Sequence, residues 1–508
     1  MLPKAPESWT LEEAAHLLNR AGFGACPDEI RKWHQMGRQQ AVQKLLSPPE
    51  SSSAALPDWV GSDAANSARM SRREKLRELA VRSRGLSAKE AEAMRRKTLQ
   101  ELQRENRRLL EDARQWWIRR MIEGKHPLLE KMTLFWHDHF ASSAQKVRDA
   151  HLMVMQNQLF RQHAFGNFKQ LVGAVVRDPA MMLYLDTQNS NKTKPNENFA
   201  REVMELFTLG VGNYSEQDVA EAARAFTGYR FDRVSGEVRH IPRQWDNGEK
   251  TLWGESGKFN ADDVVNMIFK QAAAATLVTR KIWEYFVYEN APDSGIAALA
   301  KLLRDSNYEI RTLLQEVFLS REFYSEKAMR SQIKSPVQFL VTMVKQLEID
   351  EPPARFIRDA QEQLGQQLFM PPNVAGWDWG KAWINTNTLL TRYNLAGFLT
   401  QGAKPDADSG NKQKMSSMPA QRGGAIAQRV LRSWDGPDYE KIAPRSLREN
   451  PEQLVDALCF RFFQGSVPDR ARTSFLAYAE AKKGVVFTNT EVAQLCHLML
   501  STPYYQLC

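Results

Sequence analysis

The sequence predicts a mainly α, multi-helical, bundle-like globular protein with one small irregular or β excursion near residues 229–260. Three observations predict it. Apolar residues recur at three- and four-residue spacing through most of the chain, N-terminal capping signatures open several of those stretches, and strand-like patterning is confined to one short region.

Thr10-Leu-Glu-Glu13 is a capping box ahead of Ala14, Ala15, Leu17 and Leu18, so a first helix ends near Gly22-Phe-Gly24. A second starts at Pro27-Asp28, and the Ser-, Pro- and Ala-rich residues 47–67 form a linker that closes an N-terminal region, 1–68. Residues 69–124 read as a basic, charged helical arm of two helices, 69–84 and 88–121, the second opened by the capping box Ser87-Ala-Lys-Glu90. Residues 125–400 form a central helical domain that holds the candidate site. Within it, Tyr229–Phe231, Gly236–His240 and Thr251–Trp253 mark the excursion, and residues 366–387 form a loop dense in Pro, Gly, Trp and Asn. A polar linker, 401–424, leads to a C-terminal helical region, 425–508.

The 508 residues are 43% hydrophobic and 25% charged, the balance of a protein with a sizeable core. No apolar run approaches the roughly 20 residues of a membrane span. The first residues show no basic stretch followed by an apolar one, which predicts a cytoplasmic protein as written, or a periplasmic or exported one if a signal has been removed. Four cysteines without CxxC spacing point to buried thiols. The chain lacks GxGxxG, a Walker loop and a GxSxG elbow, which removes the common nucleotide-binding and serine-hydrolase classes. Residues 66–120 carry 17 Lys and Arg against 8 Asp and Glu, so the whole net charge of +9 sits on the arm. Acid and base alternate there, which argues for a solvated helix or a contact with a partner protein or anionic polymer, and against nucleic acid.

Three stretches could carry chemistry. Phe135-Trp-His-Asp-His-Phe140 offers His137 and His139 as ligands for a divalent metal, provided that the helix ends there, because i,i+2 side chains sit about 200° apart. Two polar caps at a helix C-terminus are the other reading. Asn196–Gly210 places Arg201, Glu202 and Glu205 on one side of a helix, either as a salt-bridged surface or as ligands and acid–base groups, without the Glu-x-x-His of dimetal bundles. The Trp loop, with Asn373, Trp377, Trp379 and Trp383, is either a ligand-stacking platform or a set of rings that anchors the loop to the core.

Taken with Ala14–Gly24, Tyr214–Gly228 and Ser501–Gln506, these stretches resemble the bacterial family "domain of unknown function 1800" over nearly the full chain. That resemblance implies no assigned activity. It implies export for many members and, by association, a partner protein resembling alkaline phosphatase. Where relatives tend to show a His-Asp pair before Gly-x-Lys-Thr, this chain has Trp245-Asp-Asn-Gly-Glu-Lys-Thr251, which leaves Asp246 as the further metal ligand. The resulting expectation is a metal-dependent enzyme, hydrolytic or oxidative, with His137, His139, Glu202 and Asp246 on a divalent ion and Glu202, Glu205 and Arg201 in catalysis. The alternative is a non-catalytic binding or scaffold protein.

Overall fold

The computed structural model describes all residues except 48–55, 62–69, 71–73, 76, 233–235, 402–435, 466 and 482–486. Helices α1 (Leu11–Arg20), α2 (Pro27–Met36) and α3 (Arg38–Leu46) open the chain. The first capping box forms as predicted: Glu13 N–H donates to Thr10 Oγ1 at 3.1 Å and Thr10 N–H to Glu13 Oε2 at 2.8 Å.

Helix α4 (Ala88–Glu123) starts at the predicted Ser87–Glu90 box and runs 36 residues. Its first half is largely exposed and carries i,i+4 pairs such as Arg96–Glu92 at 3.4 Å, while Lys75 reaches Glu105 at 3.5 Å from the preceding helical stretch. From Leu110 onward, however, Leu110, Ala113, Trp117, Ile118 and Met121 are buried. Their three- and four-residue spacing makes one continuous apolar face on the second half of the helix, within the stretch expected as the arm.

The central helices are α5 (Pro127–His139), α6 (Ala150–Gln162), α7 (Phe168–Val175), α8 (Pro179–Tyr184), α9 (Glu197–Glu202) and α10 (Glu216–Ala225). The expected excursion follows as two antiparallel pairs, β1 (Tyr229–Phe231) with β2 (Val238–His240) and β3 (Lys250–Leu252) with β4 (Glu255–Gly257). Then come α11 (Ala261–Ile268), α12 (Ala272–Phe286), α13 (Asp293–Asp305), α14 (Ile310–Phe318), α15 (Pro336–Gln346), α16 (Ala354–Leu364) and α17 (Thr386–Gln401). The predicted linker 401–424 lies, but for Gln401, outside the described residues. After it stand α18 (Pro451–Phe463), α19 (Asp469–Glu480) and α20 (Asn489–Leu500). The tail pairs with the stretch before α15: Lys334 N–H donates to Gln506 O at 2.7 Å and Cys508 N–H to Gln332 O at 2.9 Å.

Two apolar cores result. One is built on α1–α3, α5, α7 and α9–α14; the other joins the end of α4 to α15–α17 and α18–α20. Helix α5 belongs to both, with Met132, Phe135 and Trp136 in the first and Leu134 in the second. All four cysteines are free thiols and three are buried. Among the described residues no helix is long and apolar enough to cross a membrane.

Candidate functional site

Helix α5 ends at His139, as the metal reading required, but its last three side chains enter three different surroundings. At about 100° per residue this is what helix geometry dictates. His137 is fully buried, with its ring 4.8 Å from Trp117, 4.8 Å from Phe160 and 5.4 Å from Phe369. Arg161 Nη1 donates to Asn157 Oδ1 at 2.6 Å, which turns the Asn157 amide nitrogen toward His137 Nε2 at 3.0 Å. His137 Nε2 is therefore the acceptor and Nδ1 holds the proton. Burial, aided by Arg161, keeps the ring neutral by lowering its pKa well below the usual value.

His139 is the opposite tautomer. Its Nε2–H donates to Phe207 O at 2.9 Å, leaving Nδ1 to accept from Lys281 Nζ at 3.3 Å. Lys281 also donates to Leu206 O at 3.0 Å. Both carbonyls belong to the π-helical turn Val203–Thr208, where Leu209 N–H reaches back to Met204 O at 2.7 Å. As carbonyls of the last turn of a helical segment, they have no partner within the helix and are free to accept, and π-helical turns are frequent at functional sites. The His and Glu motifs thus meet through backbone carbonyls, not through carboxylates.

The remaining predicted ligands lie elsewhere. Glu205 accepts from the Tyr214 hydroxyl, and Arg201 grips Glu216 with two bonds of 2.7 and 2.6 Å. Glu202 is partly buried, and burial together with Glu205 pushes its carboxyl above the usual range. Asp246 accepts from Arg224 at 2.8 and 3.2 Å and from Gly248 N–H at 2.9 Å. Although burial raises it, Arg224 and Gly248 hold its carboxyl low on balance; it ties the β excursion to α10. Among the described residues no three His, Cys, Asp or Glu side chains are arranged to hold a metal ion.

Of the Trp loop, Trp377 and Trp383 are buried in the second core, and Asn373 Oδ1 accepts Ala375 N–H at 2.8 Å to shape a turn. Only Trp379, 44% exposed, remains available for stacking.

The structure instead centres on Asp138, which lies between the two histidines. Its Oδ1 accepts Trp377 N–H at 2.7 Å, and the Trp379 side chain helps to favour its charged form. The loop approaches so closely that a Cβ at Gly376 would collide with Asp138 Oδ1 and stand 2.7 Å from its carbonyl oxygen, and Gly376 has φ +96°. Only glycine fits there. Burial drives the Asp138 carboxyl up to about 7, against the pull of the Trp377 N–H, Lys281 and Trp379. Burial likewise lowers Lys281, which Asp138 and Glu284 partly offset. Tyr285, raised well above the usual range by burial and Asp138, sets its ring 5.1 Å from Trp379. Asp138, Lys281, Tyr285 and Trp379 thus form one titratable cluster with an exposed ring on its outer side. Lys281 and Tyr285 were not predicted as site residues; the available signal was charge interrupting the apolar run of α12.

The family described as "Protein of unknown function (DUF1800)" matches residues 16–507, a span that includes every residue of this cluster. No curated protein and no solved structure matches the chain. With nearly its whole length matched, the chain belongs to the DUF1800 family of proteins of unknown function.

Proposed function

We propose that the chain is an enzyme, hydrolytic in type, in which Asp138 passes protons to and from the substrate. One observation carries this reading: a partly buried carboxyl beside Lys281 that accepts the Trp377 N–H and is pushed up to about 7 by burial. A group that is half protonated near neutrality can both give and take a proton within one cycle. Lys281, anchored on Leu206 O and His139 Nδ1, supplies a fixed donor beside it, and Trp379 offers the exposed face from which a substrate would approach. Such chemistry is tested by screening ester, phosphoester and glycoside substrates with the wild type and Asp138→Asn, which keeps the acceptor for Trp377. Turnover should fall about 100-fold or more, the usual scale for removing a general acid–base group. Equal turnover by the two proteins excludes the proposal.

A metal-dependent variant of this reading is favoured by Glu202, whose carboxyl is raised in part by the neighbouring Glu205 charge. A divalent cation between them would relieve that repulsion. Elemental analysis of protein purified without chelator should then find close to one ion per chain, lost in Glu202→Gln. Less than about 0.2 ion per chain, with melting unchanged by added divalent metals, would dismiss it.

A further inference from the structure

Helices α7 and α11 and the turn between α13 and α14 border a solvent-open cleft of about 310 Å³. The fold ties its walls together. Ahead of α7, Asn167 Nδ2 donates to Asn307 O at 2.5 Å and to Glu309 Oε1 at 3.2 Å. Beyond α7, Arg177 Nη1 donates to Gly173 O at 3.1 Å, and Nη2 pairs with Asp262 Oδ1 at 2.7 Å, which fixes α7 to α11. The cleft is thus preformed, as ligand sites usually are. Polar side chains line it without being used by the fold. Those of Gln170, Asn266 and Asn307 are exposed and make no hydrogen bond among the described residues, and half-buried Lys169 makes no ion pair among them. Among the described residues that line the cleft, Val265 alone has an apolar side chain. Gly173, inside α7, lines it as well, and a Cβ there would meet no described atom beyond its own helix within 4 Å. A glycine inside a helix is less stable than an alanine. Since no neighbour requires it here, its effect is to leave the cleft wide.

We propose that this cleft binds a saccharide unit, recognised through its hydroxyl groups. A hydroxyl both donates and accepts, and each carboxamide of Gln170, Asn266 and Asn307 offers an acceptor oxygen and two donors to match. Lys169 adds donors, and the Asp262 carboxylate adds an acceptor that Arg177 holds in place. A lining with so little apolar surface does not suit a nucleobase or an acyl chain, whose binding needs stacking or apolar burial. The cleft shares no residue with the Asp138 cluster, and the inference does not depend on Asp138 being catalytic.

Saturation-transfer NMR of the full chain with D-glucose, D-galactose, N-acetyl-D-glucosamine and D-glucuronate is the test, each used as the free sugar and as its methyl glycoside. At least one sugar should show transfer that saturates on titration. Binding of its methyl glycoside as well marks a unit within a longer glycan, and binding of the free sugar alone marks a monosaccharide. Gln170→Ala and Asn266→Ala should each raise Kd about tenfold, the scale of one or two lost hydrogen bonds. Gly173→Leu, which puts a side chain into the cleft, should abolish the transfer. Both alanine variants replace exposed side chains, so their Tm should stay within about 2 °C of the wild type. Leucine favours the helix over glycine, so the Tm of Gly173→Leu should not fall. Absence of saturable transfer to any of these sugars overturns the proposal. So does transfer that persists at wild-type strength in all three variants, because the sugar is then held elsewhere.

Discussion

Replacing Glu130 by Ala is expected to cost about 3–5 kcal/mol of folding stability, the scale for breaking a buried ion pair from one side. Glu130 is 2% exposed and collects Arg120 at 2.8 and 2.6 Å, Arg161 Nη2 at 2.8 Å and Trp117 Nε1 at 3.0 Å. Its loss strands Arg161, itself buried, and releases the hydrogen bond that pins Trp117 against His137. Although burial raises the Glu130 carboxyl, Arg161 and Arg120 hold it below the usual carboxylate range. The stabilisation is therefore present above the unfolded carboxylate pKa, near 4.3, and is lost as pH falls through the lower folded value. Urea unfolding at pH 7 should show the drop in midpoint; a loss below about 1 kcal/mol would mean that the network contributes little.

Asp138→Asn should have the opposite sign. Burial raises Asp138 from 3.8 to about 7, so between those values the folded protein keeps a proton that the unfolded chain has released. Wild-type stability consequently falls as pH rises through that window, by up to about 4 kcal/mol at the conversion of 1.36 kcal/mol per pKa unit. The uncharged amide of the variant carries no such penalty. The variant should match the wild type near pH 4 and exceed it near pH 8 in urea midpoint. Asp178, also raised to about 7 by burial, is present in both proteins and cancels from the difference. A variant-minus-wild-type difference that stays flat from pH 4 to 8 would show that Asp138 titrates normally. A carboxyl that destabilises the fold at neutral pH is the kind of feature retained for chemistry rather than for packing.

The helices and their caps were legible because their determinants are local: Thr10–Glu13 and Ser87–Glu90 write their own N-termini. The β excursion was legible for the same reason. The candidate site was legible only as a neighbourhood. The His137–His139 spacing drew the eye, while the residue between them, Asp138, is the one that the Trp loop contacts. Lys281 and Tyr285 arrive from a helix more than 140 residues later, and no local pattern links them to α5. The π-helical turn was invisible as well, since nothing in Val203–Thr208 distinguishes a widened turn from a regular one. Glu202, Glu205 and Asp246 were drawn toward a shared ion by residue type, but each is near its own partner: Glu205 itself for Glu202, Tyr214 for Glu205 and Arg224 for Asp246.

Helix α5 contributes apolar side chains to both cores, and its last turn carries Asp138 between them. A chain of this size could divide into halves that open and close separately. A helix common to both interiors couples them, because neither can loosen without withdrawing packing from the other. The cluster around Asp138 therefore sits where independent breathing of the halves is most suppressed. Its geometry is held by the cooperativity of the whole molecule, and access to it falls to the Trp379 side of the loop rather than to any parting of the two cores.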